Sequence, residues 1–586
     1  MPPTTPPIIV DERSNGMIVG IDLGTTNSLV AVMQAGKPIL LPNRLGQTLT
    51  PSAVSVDENA TVLVGAPALA RRTTHPLSTA TAFKRDMGTT REYQLGKLSF
   101  TPQQLSAFVL RSLKQDAESA LGIPVTEVVV TVPAYFDESQ RRATRDAAEI
   151  AGLRAERIIN EPTAAAMAYG IHERHREFKA AVIDLGGGTF DVTILEIMEG
   201  VIEIQSTAGD SRLGGEDFVA ALTEYVADQS GLTGLQSEPI LWARLQVAVE
   251  QTKRRLSSVP SDRVVLSNFP GPGQSFERIV TRAEAETVFA GLVSRMRTPI
   301  LRALRDARLR PEDVDEVLLV GGATRMPLVA NLATEIFGRL PSRELPPDEA
   351  IALGAAVQGA LKARDKAVDD VVVTDVAPFS MGIATASETG RRMLHGIFSP
   401  IIERGTVIPV SREQSFSTIS DRQKVLAIEV YQGEHSLCRD NKKLGAFNVT
   451  DLPPRPAGEC EVRVRFTYDL NGLLEVEATV ADTGAKKSIV LEQTPGRLSE
   501  KEIAQARQRM AELKFDPRDS LPNKTTLARA EALHVELTGD ARDMLRDYLL
   551  RFRAAIESQS TPDIDAAREE LNAFMAALSR PRDGLN

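Results

Sequence analysis

Two segments of the 586-residue chain place aspartates and small residues where chemistry on phosphate could occur. Ile18–Val32 reads IVGIDLGTTNSLVAV and Ala181–Leu195 reads AVIDLGGGTFDVTIL. In each, an apolar strand ends in Asp-Leu-Gly, a small-residue turn follows, and a second apolar strand leaves. The matched aspartates, Asp22 and Asp184, suggest two similar halves facing one cleft, and such turns suit a nucleoside triphosphate. Glycines let backbone N–H groups approach phosphate oxygens, and Thr25, Thr26 and Thr189 add hydroxyl donors. Asp22, Asp184 and Asp191 would hold Mg2+ through its waters, since that ion dehydrates reluctantly. Two ordinary hairpins with glycine turns are the plain alternative, which the duplication weakens. No GxxxxGK[ST] sequence occurs, so the chain is not a P-loop NTPase.

A third glycine pair, Gly321 and Gly322 in VLLVGGATRMP (Val317–Pro327), would admit a flat ring or ribose, with Arg325 beside it. In the helix expected over Leu241–Ser257, Glu250, Lys253, Arg254 and Ser257 share one face. Leu241, Leu245, Ala248 and Leu256 share another, so a merely solvated polar face is the bland account.

The elements that must position these residues follow from texture. Residues 1–16 are Pro-rich and polar and read as a disordered arm. From Met17 to about Lys366, strands such as Val128–Val132 alternate with helices such as Asp137–Ala151, an α/β pattern. A short apolar stretch, Val371-Val372-Val373, follows. Then comes alternation: Val462, Val464, Phe466 and Tyr468 against Arg463, Arg465 and Thr467, the turn Asn471-Gly472, and Leu474, Val476, Ala478 and Val480, a β-hairpin. From Leu498 the chain reads as helical.

Net charge of −10 and no Lys/Arg block argue against nucleic acid as main partner. The two cysteines, Cys438 and Cys460, read as unpaired thiols of a reducing compartment. No window of about eighteen apolar residues exists to span a membrane, and the first residues lack a signal-peptide layout, so a cytoplasmic location is expected. His172 and His175, in HERH, read as solvated loop and not as metal ligands. Trp242, the one tryptophan, reads as packed and as a probe of the helix that carries it.

In combination, GIDLGTTNS (Gly20–Ser28), VTVPAYF (Val130–Phe136), INEPTAAAMAYG (Ile159–Gly170), DLGGGTFDV (Asp184–Val192), LGGEDF (Leu213–Phe218) and LVGGATRMP (Leu319–Pro327) carry a resemblance. Residues 17–490 resemble the DnaK-type (seventy-kilodalton heat-shock) chaperones, and the tail resembles a shortened version of their lid. RRTTHPLSTATAFKRDMG (Arg71–Gly88), IFSPIIERGTVIPVSR (Ile397–Arg412) and the short tail are closest to the HscC subgroup. The resemblance implies a disordered arm over 1–16, an actin-like, two-lobed α/β ATPase domain over 17–366, and a linker over 367–375. A β-sandwich substrate-binding domain over 376–497 and a shortened helical lid over 498–586 complete it.

By that resemblance the chain hydrolyses ATP to ADP with Mg2+ and K+. Lys84 would meet the γ-phosphate and help position water. Glu161 and Asp184 would organise the magnesium waters, and Asp22 and Asp191 would help hold ions and accept the proton. Gly24, Thr25, Thr26, Asn27, Gly186, Gly187, Gly188 and Thr189 would cradle phosphates. Gly215, Glu250, Lys253, Arg254, Ser257, Gly321, Gly322, Arg325 and Asp348 would clamp adenosine. Pro133 and Arg141 match coupling positions, Arg157 matches one that meets a J-domain partner, and Val371, Val372, Val373 and Asp375 match the interdomain linker. Read alone, three valines are more often a buried strand.

A peptide groove is implied at Ile383, Thr385, Phe416, Ser417, Ile419, Leu426 and Ile428, with Ala386 and Ile419 closing over an extended apolar client. The plain alternative is that these apolar residues are simply sandwich core. Leu426, where many members have valine, would make the central pocket shallower. The chain reaches Phe100 sixteen residues after Lys84, a shortened loop region, and after Ser499 it is short for a complete lid. Faster client release is the expected consequence. A J-domain co-chaperone, a nucleotide exchange factor as a further candidate, and a monomeric state are the implied partners. A small-molecule kinase on a related cleft is the rival reading, and an actin-like filament a third. Neither has a use for residues 371–586.

Overall fold

The computed structural model describes residues 17–172, 177–198, 201–342, 345–368, 371–389, 392–450, 452–490, 498–515, 521–558 and 561–578. The expected arm over 1–16 and His175 lie outside them.

Two six-stranded sheets repeat one plan. In the first, strand Val19–Asp22 lies between Asn27–Gln34, antiparallel to it, and Glu127–Val132, parallel to it. In the second, Phe178–Leu185 lies between Phe190–Met198, antiparallel, and Glu316–Val320, parallel. These strands are almost continuously apolar because both their faces are covered, and Val128, Val129 and Val130 are fully buried. Helices Glu161–His172 and Ala350–Lys362 pack together between the two sheets in a shared apolar cluster. Each central strand therefore delivers its aspartate, Asp22 or Asp184, to the carboxyl end of its sheet, where ligand crevices form in α/β folds.

Local signals fix the helices that flank these sheets. Asp137 caps helix Glu138–Ile150 and exchanges hydrogen bonds with Gln140. Helix Pro239–Arg255 buries Leu245 and leaves its Glu250, Lys253 and Arg254 side toward the space between the sheets.

Further along, two four-stranded sheets share one core. One runs Arg392–Ile402, Met381–Thr389, Leu426–Gln432, Lys442–Val449; the other runs Val410–Ser417, Glu461–Tyr468, Leu474–Val480, Lys486–Val490. Val462, Val464, Phe466 and Tyr468 are buried, while Arg463 and Arg465 are exposed, as period two demands. The hairpin connection is longer than a tight turn: Asp469 accepts through Oδ1 from the N–H groups of Asn471 and Leu473.

The C-terminal part contains helices Glu500–Glu512, Leu521–Glu536, Gly539–Ser558 and Thr561–Leu578. It is not helical throughout. Lys514–Phe515 forms a short strand parallel to Thr61–Val64, because that sheet edge offers unpaired backbone groups to any extended segment reaching it. Among the described residues, no helix is long and apolar enough to cross a membrane.

Candidate functional site

Between the two six-stranded sheets lies a cavity of about 330 Å³. Asp22, Gly24, Thr25, Thr26 and Asn27 line it from the first hairpin, and Asp184, Gly186, Gly187 and Thr189 from the second. Lys84, Glu161, Gly215, Glu250, Lys253, Arg254, Ser257, Gly321, Gly322, Arg325 and Asp348 complete the expected lining. The polar face of the 239–255 helix is thus a cavity wall. Gly188 and Asp191 do not line the cavity. Gly188 packs behind it against Thr25 and Arg85, and Asp191 pairs with Asp184 across the hairpin. Gly187 is required by close approach, since a Cβ there would fall 1.9 Å from the Thr26 Oγ1. Sequence reasoning missed Leu49, Glu216, Val219, Met326 and Ile351, which also line the space. Glu216 and Met326 sit within the quoted LGGEDF and LVGGATRMP motifs; Leu49, Val219 and Ile351 carry no local pattern that separates a cavity wall from core.

The cavity gathers buried carboxyl groups around one buried lysine. Lys84 Nζ donates to Glu161 Oε1 at 2.6 Å, and both side chains are buried. Thr131 Oγ1 donates to Asp22 Oδ1 at 3.1 Å, and the Tyr135 N–H donates to Asp191 Oδ1 at 3.1 Å. Among the described residues, Asp184 Oδ2 and Asp191 Oδ2, both buried, have no hydrogen-bond partner. Burial, and then the Glu161 charge, push the Asp22 carboxyl up to about 7 against the pull of Lys84. The same two causes raise Asp191 to about 7 and Asp184 well above the carboxylate range. Four buried carboxyl groups facing one lysine call for added positive charge. No three His, Cys, Asp or Glu side chains converge tightly enough to ligate a metal directly among the described residues. Mg2+ fits this set when phosphates and waters supply its inner ligands and the orphaned carboxylate oxygens accept from those waters. On the opposite wall, Lys253 Nζ donates to the Gly215 carbonyl at 3.0 Å, and desolvation lowers its pKa. Arg325 donates to Asp348 Oδ2 at 2.5 and 3.0 Å.

A second constellation lies where the last strand of the second sheet enters the β-rich part. Val372–Val376 is a strand, pairing parallel with Val201–Asp210 and antiparallel with Val407–Ile408. Val371 is buried and Val372 is exposed. Asp375 is buried; its Oδ2 accepts from Asn160 Nδ2 at 2.8 Å and Thr163 Oγ1 at 3.1 Å, and its Oδ1 accepts from the Val376 N–H at 2.8 Å. Arg141 donates to the Phe136 and Ala134 carbonyls and to Asn160 Oδ1. Arg157 lines the same small pocket, and burial lowers its pKa. The Pro133 carbonyl accepts from the Phe136 N–H at 3.1 Å. The Asn471-Gly472 turn docks here: Asn471 Oδ1 accepts from the Ile158 N–H, and a Cβ on Gly472 would lie 2.8 Å from Arg141 Cδ. Tyr135 joins the two constellations. Its N–H holds Asp191, its ring lies 4.3 Å from that of Phe379, and its hydroxyl accepts from Arg302 at 3.0 Å.

The expected groove residues lie on both four-stranded sheets. Ile383 and Ile428 are buried in the shared core, and Phe416 and Leu426 are partly buried against it. Thr385 Oγ1 donates to the Ile397 carbonyl at 3.2 Å. Ala386 is partly buried, while Ser417 and Ile419 are exposed. Cys438 and Cys460 are free and buried.

The family model for Hsp70 protein matches residues 18–94 and 89–580. That span continues past residue 371 through the β-rich part and C-terminal helices, which a small-molecule kinase has no use for. Hsp70 members are ATPases that bind ATP or ADP with Mg2+ and work with unfolded clients and J-domain co-chaperones. With a family-model match over nearly its whole length, the chain belongs to the Hsp70 family of ATP-dependent chaperones.

Proposed function

We propose that this chain hydrolyses ATP in the cleft between two actin-like lobes and uses that cycle to capture and release extended apolar segments of unfolded proteins. The observation that carries the coupling is Tyr135, whose backbone holds a cleft carboxylate while its ring packs on Phe379 of the β-rich part. In this reading residues 17–366 are the ATPase domain, 367–375 the linker, 376–497 a β-sandwich for clients and 498–586 a shortened lid.

The chemistry is in-line attack of water, for which the protein chiefly positions groups and offsets charge. Thr25, Thr26, Thr189 and the backbone of Gly186 and Gly187 would hold the phosphates, and Asp22, Asp184 and Glu161 would hold the waters of Mg2+, with Gly188 and Asp191 supporting them from behind the lining. Bound Mg2+ neutralises charge developing on the phosphate oxygens, and K+ is the accompanying monovalent ion. Lys84, fixed by Glu161, orients the attacking water. Asp22, which lines the cleft beside Lys84 and Glu161, is the carboxylate this reading assigns to take its proton. The 250–257 face, with Gly215, Gly321, Gly322, Arg325 and Asp348, surrounds adenosine.

Clients lie along Ile383, Thr385, Ala386, Phe416, Ser417, Ile419, Leu426 and Ile428. Their release is coupled through Pro133, Arg141 and the Val371–Asp375 segment, and a J-domain acts near Arg157. The HscC likeness and a cytoplasmic setting belong to the same reading. An extended apolar peptide is expected to accelerate steady-state ATP hydrolysis. Hydrolysis indifferent to saturating peptide would refute the coupling.

A further inference from the structure

The C-terminal helices pack on the part of the chain that carries the cavity. Helix Glu500–Glu512 packs on helix Glu138–Ile150, and the Met510 carbonyl accepts from Arg111 at 3.4 Å. Strand Lys514–Phe515 extends the sheet edge at Thr61 and Val62. Helix Leu521–Glu536 then packs along helix Ala66–Ala70, with Lys524 Nζ 4.0 Å from Asp57. All these contacts are with the first lobe.

The far end of that helix grips the second lobe. Asn268 Nδ2 donates to the Val535 and Leu537 carbonyls at 3.2 Å each. Arg244 Nε donates to Glu536 Oε1 at 2.7 Å, and the guanidinium is further fixed by the Ser267 and Asn268 carbonyls. The Arg244 side chain is 4% exposed and that of Glu536 28%, so this pair is far better shielded than a surface ion pair. Arg244 lies on the helix that also carries Glu250, Lys253 and Arg254 and that leads into the turn with Ser257. One helix is therefore fastened at one end to the first lobe and at the other to the clamp helix of the second, outside the cavity that lies between them.

We propose that helix Leu521–Glu536 is a strap that holds the two lobes together across the nucleotide cleft, so that nucleotide leaves only after the strap lets go. This rests on the nucleotide reading of the cleft. A nucleotide enclosed between Thr25, Thr26 and Lys84 on one side and the 250–257 face on the other escapes only if that face swings away, which stretches the strap. The strap is engaged only while the C-terminal helices lie on the ATPase domain. On the proposed reading of 498–586 as a lid, helices that leave to cover the client site free the cleft, so the strap would retain ATP while the client site is open and let ADP go once it is covered.

The test is the dissociation of fluorescent ATP and fluorescent ADP, each with Mg2+ and chased with excess unlabelled nucleotide before appreciable hydrolysis, from the full chain. Glu536→Gln weakens the charge-assisted bond to Arg244. Asn268→Gly removes both carbonyl contacts and tolerates the positive φ of 49° at that position. Each is expected to speed ATP release by about fivefold or more, the effect of losing one or two partly buried polar contacts, and to leave ADP release unchanged. Unchanged ATP release in both variants overturns the strap, as does equal acceleration of ATP and ADP, which marks general loosening. If the unaltered chain binds neither nucleotide, the strap and the reading of the cleft fall together.

Discussion

Asp375→Ala probes the joint between the ATPase domain and the β-rich part most sharply. In the docked arrangement the Asp375 carboxylate accepts from Asn160 and Thr163 of the ATPase domain, in a buried site beside Arg141. Alanine leaves both donors buried without an acceptor, at about 1–3 kcal/mol each. Relief of the carboxylate's own desolvation, which raises its pKa, offsets part of that. A net loss of about 2 kcal/mol follows, or about thirtyfold in the docking equilibrium, because in an undocked chain the side chain meets only water. Amide hydrogen exchange of the Val372–Val376 strand with ATP present is the assay. Exchange should rise by a comparable factor, ATP-driven peptide release should weaken, and nucleotide affinity should hold, since Asp375 lies outside the cleft lining. Protection and release equal to those of the unaltered chain would refute the reasoning.

Further outcomes concern the cleft. Lys84→Ala strands the buried Glu161 carboxylate and removes the water-orienting cation; single-turnover ATP hydrolysis should fall by about a hundredfold or more while nucleotide still binds. Gly187→Ala drives a methyl into Thr26, so nucleotide affinity measured by calorimetry should drop by about tenfold or more with little change in fold. The carboxyls of Asp22 and Asp191 rise from the ordinary 3.8 to about 7. The folded, metal-free chain thus keeps protons that the unfolded chain has lost, and its stability contribution from these groups falls as pH rises from about 4 to 7. Mg2+ needs them ionised. The melting-temperature gain on adding Mg2+ and ADP should therefore grow between pH 5 and pH 8, and a gain that shrinks with pH would count against the site.

Legibility in the sequence tracked how local each signal is. The two Asp-Leu-Gly hairpins could be read directly, because a strand, its turn and its return lie within fifteen residues and their burial demands apolar runs. The 462–480 hairpin followed from alternation together with the Asn471-Gly472 turn, though the connecting loop is longer than that pair suggested. The 250–257 face was ambiguous, because a solvated face and a cavity wall carry the same polar residues; only the opposing glycines decide it. Val371–Val373 was ambiguous in another way: Val372 and Val373 form part of a strand in the second sheet and also connect the parts, so both readings describe them. The strand at Lys514–Phe515 and the grip of Asn268 on Val535 were invisible, since backbone groups far apart in the chain leave no mark on side-chain pattern.

The most direct measurement is the dissociation rate of a fluorescent extended apolar peptide from the ADP-bound chain, before and after adding ATP, alongside Thr189→Ala and Lys84→Ala. ATP-accelerated release in the unaltered chain is the predicted result, with acceleration impaired in the variants. Peptide that binds but leaves at the same rate with ADP and ATP would contradict the claim that the cleft and the client site are one machine.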